Sequence, residues 1–394
     1  MKTLVKTNVL LDCTGAAPLE KGWLLFDEKG IITAVGKPGE LTEIDGVTKT
    51  LDFSDKFVMP GMIDAHNHFS LSHSDSIEPM PIIEQFDAPV GTRLCKAFMY
   101  VREHIQGGVT VFRGMGDEDF IDFDIKHAIE KGYFRGPRVI PCGHLVSATN
   151  GHGQTGRIVA DGVEGVRRLC RVNLAKGAEL IKLIVGGGVA TGNIPLHCTT
   201  YRAEEVRCAV EEAESLGKYV ASHSIGGLSI DLCIDEGVRC LEHASMVTDE
   251  QIERIYKTGT WVTGTFSPVM SPKGLHDLTP SRQARLEQVK VQMMETFRKY
   301  HQAGVKMCFG TDGVHGGMAL EAECIAQCGA TPQQAIEYIT REASKSCCHD
   351  HEYGTLEPGK FADFIALEKN PLEDIKNLTT VRECYIGGID QLRY

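Results

Sequence analysis

The sequence predicts an α/β chain in which a closed (β/α)8 TIM barrel is joined to a small β-domain built from both chain ends. Two observations lead there. From Phe57 onward, short apolar runs alternate with amphipathic helical stretches, and eight such units fit into about 270 residues. Before and after that region the texture is β-strand and turn only.

The opening segment holds "TLVKTNVLLD", then "GWLLFDEKGIITAVG" with a hairpin turn at "DEKG", then "VTKTLDFS". The strand candidates of the central region are "FVMPGMIDA", "VTVFRGMG", "RVIPCG", "AELIKLIVGGG", "KYVASHS", "VRCLEHA", "TWVTGTF" and "VKMCFGTD". Near-continuous apolar strands separated by helices imply parallel strands covered on both faces. The helices between them, such as "VEGVRRLCRVNLAKG" and "SRQARLEQVKVQMMETFRKYHQAG", end in glycine after a basic or polar residue, as helix C-termini do. After two more helices, "GTLEPGKFADFIALEKNPLEDI" and "TVRECYIGG" return to strands that rejoin the first sheet. The expected division is 1–56 with 360–394 as the small domain and 57–359 as the barrel.

Composition narrows the function classes. Of 394 residues, 42% are hydrophobic and 24% charged, an ordinary globular balance. The formal net charge of −12, without clustered Lys and Arg, argues against a nucleic-acid partner. No apolar run approaches the ~18 residues of a membrane span, and Lys6 and Asn8 interrupt anything resembling a signal peptide. The 14 cysteines are scattered singly through apolar segments and read as reduced thiols in a cytoplasmic protein.

Chemistry in a barrel sits at the C-terminal ends of its strands. The first strand ends in "GMIDAHNHFS", whose His66 and His68 share a side because residues i and i+2 do. The fourth carries Lys182, the fifth ends in His223, the sixth in His243 and the eighth in Asp312. Imidazoles and a carboxylate gathered at one mouth suit zinc or a similar divalent ion. Lys182 is the odd member, because an ammonium in "ELIKLIVGGG" is costly to bury unpaired. A neutral lysine amine takes up carbon dioxide as a carbamate, a carboxylate-like ligand able to bridge two metals. His66, His68 and Asp312 would then serve one ion and His223 and His243 the other, with a water between them acidified to hydroxide. Singly, each residue has a plainer reading: a structural histidine, a turn-forming Asp312, a Lys182 that snorkels to solvent.

"GMIDAHNH", "IKLIVGGGV", "YVASHS", "CLEHAS", "FGTDG" and "GTLEPGKFADFIAL" resemble the amidohydrolase superfamily. The resemblance is greatest to its prolidase-like, imidazolonepropionase-related branch of binuclear metal hydrolases, and it covers nearly the whole chain. It implies a distorted (β/α)8 barrel, a β-sandwich made by both chain ends, a carbamylated Lys182, two divalent ions of the zinc type and hydrolysis of an amide C–N bond. The expected substrate is a small peptide-like molecule or N-acyl amino acid, attacked by a metal-bridging hydroxide, with Asp312 passing the proton to the leaving nitrogen. A homo-oligomer without nucleic-acid or membrane partners is expected.

"SATNGHGQTG" resembles the Gly-Gly-His-Gly loop of the prolidase-like enzymes, which makes His152 the first candidate for substrate contact. His144, Arg113 and His315 also follow strands, and Tyr201 follows the loop after strand four. "CCHDHEYG", holding Cys347 to His351, fits no zinc spacing, and "GGGVATG" lacks the residues of a phosphate loop. Ring-opening of a cyclic amide is the alternative reaction. Deamination is disfavoured, because deaminases of the superfamily carry a Glu soon after the strand-five histidine and "SHSIGG" has none. A non-catalytic assembly protein is the remaining rival, and such relatives lose ligands that this chain keeps. The loops "SLSHSDSIEPMPIIEQFDAPVG" and "FSPVMSPKGLHDLTP" are individual and name no substrate.

Overall fold

The structure is a computed structural model that describes residues 1–40, 46–73, 85, 88–153, 158–189, 194–271 and 279–393. In chain order its strands are β1 (Lys2–Leu10), β2 (Leu19–Glu20), β3 (Trp23–Asp27), β4 (Ile32–Gly36), β5 (Val47–Pro60), β6 (Met62–Asn67), β7 (Val109–Gly114), β8 (Arg138–Ile140) and β9 (Val146–Ser147). Then come β10 (Leu180–Ile184), β11 (Tyr219–Gly226), β12 (Cys240–Met246), β13 (Trp261–Gly264), β14 (Met307–Phe309), β15 (Phe364–Leu367), β16 (Val381–Ile386) and β17 (Ile389–Asp390). No helix among the described residues is long and apolar enough to cross a membrane.

The two chain ends share one sheet, ordered β17-β16-β15-β5-β1-β3-β4. The hairpin at "DEKG" forms as its turn residues dictate, with Trp23 opposite Gly36. β1 runs parallel to β5, and β15 closes on the far end of β5, pairing Phe364 with Pro60 and Leu367 with Phe57. β5 therefore continues to Pro60, past the break in sequence texture at Phe57. Side chains along these strands alternate, so Val5, Leu24 and Phe26 pack on one face and Leu4, Trp23 and Leu25 on the other.

The central strands are parallel, as their apolar character requires, and form two ladders. One is β6-β7-β8 and the other runs β14-β13-β12-β11-β10-β9. The sequence led us to expect one closed eight-stranded ladder. Here nine strands lie in two arcs, because β8, β9 and β14 are only two or three residues long. Single backbone bonds join the arcs at both seams: Asp312 N–H to His66 C=O at 2.8 Å, and Glu179 N–H to Pro141 C=O at 2.9 Å.

One face of both arcs shares a single apolar cluster that includes Val111, Leu180, Tyr219, Ala221, Cys240, Trp261 and Cys308. Two-residue alternation then assigns the next residue along that face: Arg113 after Val111, Lys182 after Leu180, His223 after Ala221 and Glu242 after Cys240. The opposite face, with Met62, Ile181, Val220, Leu241 and Val262, packs under the helices.

Candidate metal centre

Three of the expected ligands meet around a fourth, the Asp312 carboxylate. Asp312 Oδ1 lies 3.5 Å from His66 Nε2 and 3.4 Å from His68 Nε2, and Asp312 Oδ2 lies 4.0 Å from His243 Nδ1. Among the described residues, donor atoms of His66, His243 and Asp312 all lie within 4.8 Å of one another. His223 adjoins them, its ring centroid 4.5 Å from that of His243. His66 and His68 rings stand 5.6 Å apart, so the two-residue spacing does bring them to one place.

Each imidazole is held through one ring nitrogen. Glu242 Oε2 lies 2.6 Å from His66 Nδ1, the Gly116 carbonyl 2.7 Å from His68 Nδ1, Thr265 Oγ1 2.8 Å from His243 Nδ1, and the Gly187 carbonyl 3.2 Å from His223 Nε2. Carbonyls and a carboxylate can only accept, so the rings of His66, His68 and His223 donate there and, when neutral, keep a lone pair on the opposite nitrogen. Such anchoring of the distal nitrogen is what metal-binding histidines require.

Backbone geometry aids the convergence. His243 and Ala244 adopt φ of 74° and 39°, and Asp312 φ of 43°, conformations that non-glycine residues enter at a cost. At His243 this breaks strand alternation, so Glu242 and His243 both serve the same centre. Gly310 lets β14 approach β6: a Cβ there would lie 2.2 Å from the His66 nitrogen. A Cβ at Gly188 would lie 2.4 Å from the His152 ring, so the glycines of "IVGGG" make room for that side chain.

Lys182 is 1% exposed, and among the described residues its Nζ has no hydrogen-bond partner. Burial pulls its pKa down, against the pull of Glu242 and Asp312. Burial and then the Lys182 charge push His66 down to about 4, and burial holds His223 and His243 well below the usual imidazole value. Burial alone would lower His68 too, but the hydrogen bond and charge of Asp312 turn it upward. Burial opposes ionisation of Asp312, yet the surrounding imidazoles keep it well below the usual carboxylate range. The set is thus three neutral imidazoles, one imidazole that leans on Asp312, an ionised carboxylate and an orphaned amine. That is the donor chemistry a pair of divalent ions takes, with the amine as the one group needing conversion.

Of the five residues expected to touch substrate, the structure brings one to the cluster. His152 lies against His223, ring centroids 4.3 Å apart, and burial lowers it to about 4. His144 borders a neighbouring cleft with Gly116, Leu145 and Ile158, its ring 4.2 Å from that of Phe120. The other three sit elsewhere. Arg113 is fully buried against Glu242, so it cannot meet a substrate. His315 is stacked on Tyr100 at 4.0 Å, with Nδ1 3.0 Å from His104 and Nε2 2.9 Å from the Leu71 carbonyl. Tyr201 is buried, donating to the Ala160 carbonyl at 2.9 Å. In each case long-range packing, invisible to local sequence, decided where the side chain went. His349 of the Cys347–His351 segment is an ion-pair residue, 2.6 Å from Glu352 and 3.0 Å from Glu179. Residues 74–84, 86, 87 and 272–278 of the two individual loops lie outside the described residues, as do 154–157 after His152.

Sequence reasoning missed Glu242 and Asp64. Asp64 accepts from the His66 and Thr311 backbones and from the Thr311 hydroxyl. Asn67, between the two histidines, donates to Asp64 and Thr311 and accepts from the backbones of His68 and Gly313. The available signal was a carboxylate in a buried strand, twice: "MIDAH" and "CLEH".

A family model described as the amidohydrolase family matches residues 57–389. Ochratoxinase of Aspergillus niger is 29% identical over 405 residues, spanning 95% of this chain and 82% of that protein. Its crystal structure superposes with a TM-score of 0.88 at 27% identity, covering 99% of this chain and 95% of the other. A Xaa-Pro dipeptidase with methionine bound in its active site gives 0.88 at 26% identity, and a prolidase complexed with N-methylphosphonate-L-proline gives 0.89 at 27%. Both cover 99% of each chain.

Proposed function

The chain belongs to the amidohydrolase family, and from that premise we propose that it hydrolyses the amide C–N bond of a small peptide-like or N-acyl amino acid substrate at a two-metal centre. The observation that carries this reading is Lys182: a buried amine that has no hydrogen-bond partner among the described residues, beside four imidazoles and the Asp312 carboxylate. Its neutral amine would add carbon dioxide, releasing a proton, and become a carbamate with two oxygens for two ions. His66, His68 and Asp312 would hold one ion, and His223 and His243 the other. Bound there, zinc-type ions would polarise the scissile carbonyl and acidify a water near neutral pH.

The chain's own groups do the rest. Asp312, ionised and within 3.5 Å of two imidazoles, accepts the proton of the attacking water and returns it to the leaving nitrogen. His152 faces the cluster across His223 and binds the substrate carbonyl or carboxylate. The similarity to ochratoxinase and to the prolidase-like structures supports an amide as the scissile group. The same reading takes the two parallel arcs as one distorted (β/α)8 barrel spanning 57–359, since single backbone bonds close both seams. The chain-end sheet is then its small companion domain.

The deciding experiment is hydrolysis by metal-loaded protein of a panel of N-acyl amino acids, dipeptides including Xaa-Pro, and cyclic amides, with metal counted per chain. Two ions per chain and turnover of linear amides are expected. Turnover of cyclic amides alone would move the assignment to ring opening, and absence of bound metal would overturn it.

A further inference from the structure

Arg113 is wholly buried, yet its guanidinium reaches acceptors on four other strands. Nε donates to the carbonyl of Ala65, the residue before His66, at 2.5 Å. One terminal nitrogen reaches both oxygens of Glu242 at 3.0 and 3.3 Å and Thr263 Oγ1 at 3.0 Å. The other reaches the Tyr219 hydroxyl at 3.4 Å. Glu242 also takes the Thr263 hydroxyl at 3.2 Å and the Nδ1–H of His66 at 2.6 Å. Every oxygen of Glu242 is thereby fixed, and the imidazole it holds among the described residues, that of His66, is a candidate metal ligand.

We infer that Arg113 and Glu242 are a positioning pair for His66, in which the guanidinium fixes the Glu242 carboxylate and the carboxylate fixes the ring with its Nε2 lone pair turned to the metals. The inference rests on the two-metal reading above. A buried ion pair is weak evidence of a stability device, because desolvating both charges cancels most of their attraction. What singles out this one is its attachment points. Arg113 grips the backbone just ahead of His66 and the carboxylate just ahead of His243, so one planar group spans the strands that carry ligands of both ions. Lysine could not replace it, since an ammonium on a flexible stem cannot serve Ala65, both Glu242 oxygens and Thr263 together.

The test is the rate at which a chelator strips zinc from zinc-loaded protein, with zinc per chain followed over time. It compares wild type, Arg113→Lys, Arg113→Met, Glu242→Gln and the double variant Arg113→Met/Glu242→Gln. The first three variants are expected to hold zinc about tenfold to hundredfold less tightly. In the double variant the new amide carbonyl at position 242 still accepts from His66 and no charge is stranded, so retention should recover part of the loss seen in Arg113→Met. A variant that melts earlier but keeps zinc as wild type does would reduce Arg113 to a core ion pair and overturn the proposal. Should the Arg113 variants not fold, unchanged zinc retention in Glu242→Gln has the same force. Wild-type protein that takes up no zinc would instead overturn the two-metal reading itself.

Discussion

Asp64 and Thr311, 247 positions apart in the chain, are joined twice: the Thr311 hydroxyl donates to Asp64 Oδ2 at 2.6 Å and its backbone N–H to Oδ1 at 3.0 Å. This clasp binds the strand bearing His66 to the loop bearing Asp312. Among the described residues, the four groups that hydrogen-bond to the carboxylate are all donors, with His66 N–H and the Asn67 amide completing the set. Replacing one oxygen by an amide would set a donor against a donor. Asp64→Asn should therefore lose about 2–3 kcal/mol of stability, measured by denaturant unfolding. A loss below about 0.5 kcal/mol would mean that the clasp is redundant.

Asp312→Asn keeps the shape of the side chain and removes its capacity to carry a proton. Turnover should fall by about 10²–10⁴-fold, more in kcat than in KM, in protein shown to retain its metals. Full activity with metals bound would remove Asp312 from the proton path.

Lys182 should appear in intact-protein mass spectra, under gentle conditions, with the added mass of one carbon dioxide. Lys182→Ala should lose metal and activity, and short carboxylic acids should restore part of both by supplying the missing bridging oxygens. An unmodified amine in active, metal-loaded protein would refute the carbamate.

Gly310→Ala tests the close approach of β14 to β6. Its methyl would sit 2.2 Å from the His66 backbone nitrogen. The strands must part, at a cost of about 1–3 kcal/mol, and the Asp312 loop should shift with them. Unchanged stability and metal content would show that the seam can relax.

His349 predicts a pH effect far from the metal centre. Burial opposes its charge, but Glu179 and Glu352 raise its pKa above the unfolded value. The pair therefore stabilises fully below about pH 6.5 and fades as pH rises through the raised value. Glu179 is pushed down to about 2 against its own burial by His349 and Lys126, so its contribution fades as pH falls from the ordinary carboxylate value toward 2. His349→Gln should lower stability by about 1 kcal/mol near pH 5 to 6 and by less above neutrality. An equal loss at all pH values would mean that the charge is not involved.

The strand texture made most of the fold legible, because parallel strands buried on both faces leave long apolar runs. The ligand candidates were legible for the same reason. His66, His223 and His243 lie within buried strands and His68 just after one, where a polar residue contradicts its surroundings. The supporting residues were harder to read. Arg113 and Glu242 look like single charges in separate strands, and only the sheet shows that they touch across 129 positions. His315 was misplaced because its partners, Tyr100 and His104, come from the helix Val90–Gln106, and no local pattern records that packing. The short β8, β9 and β14 explain why eight even repeats became two arcs.

The pairing of β5 with β15 has a consequence for how the protein is made. Residues 57–60 cannot find their partners at 364–367 until about 300 further residues have been synthesised. At cellular rates of about 5–20 residues per second, that leaves one edge of β5 open for roughly 15–60 s on each ribosome. An unpaired strand edge of that kind invites pairing with a neighbouring nascent chain. Completion of this sheet thus waits on synthesis of everything between its two halves, and yield in a crowded translation system will depend on what shields β5 until its partner arrives.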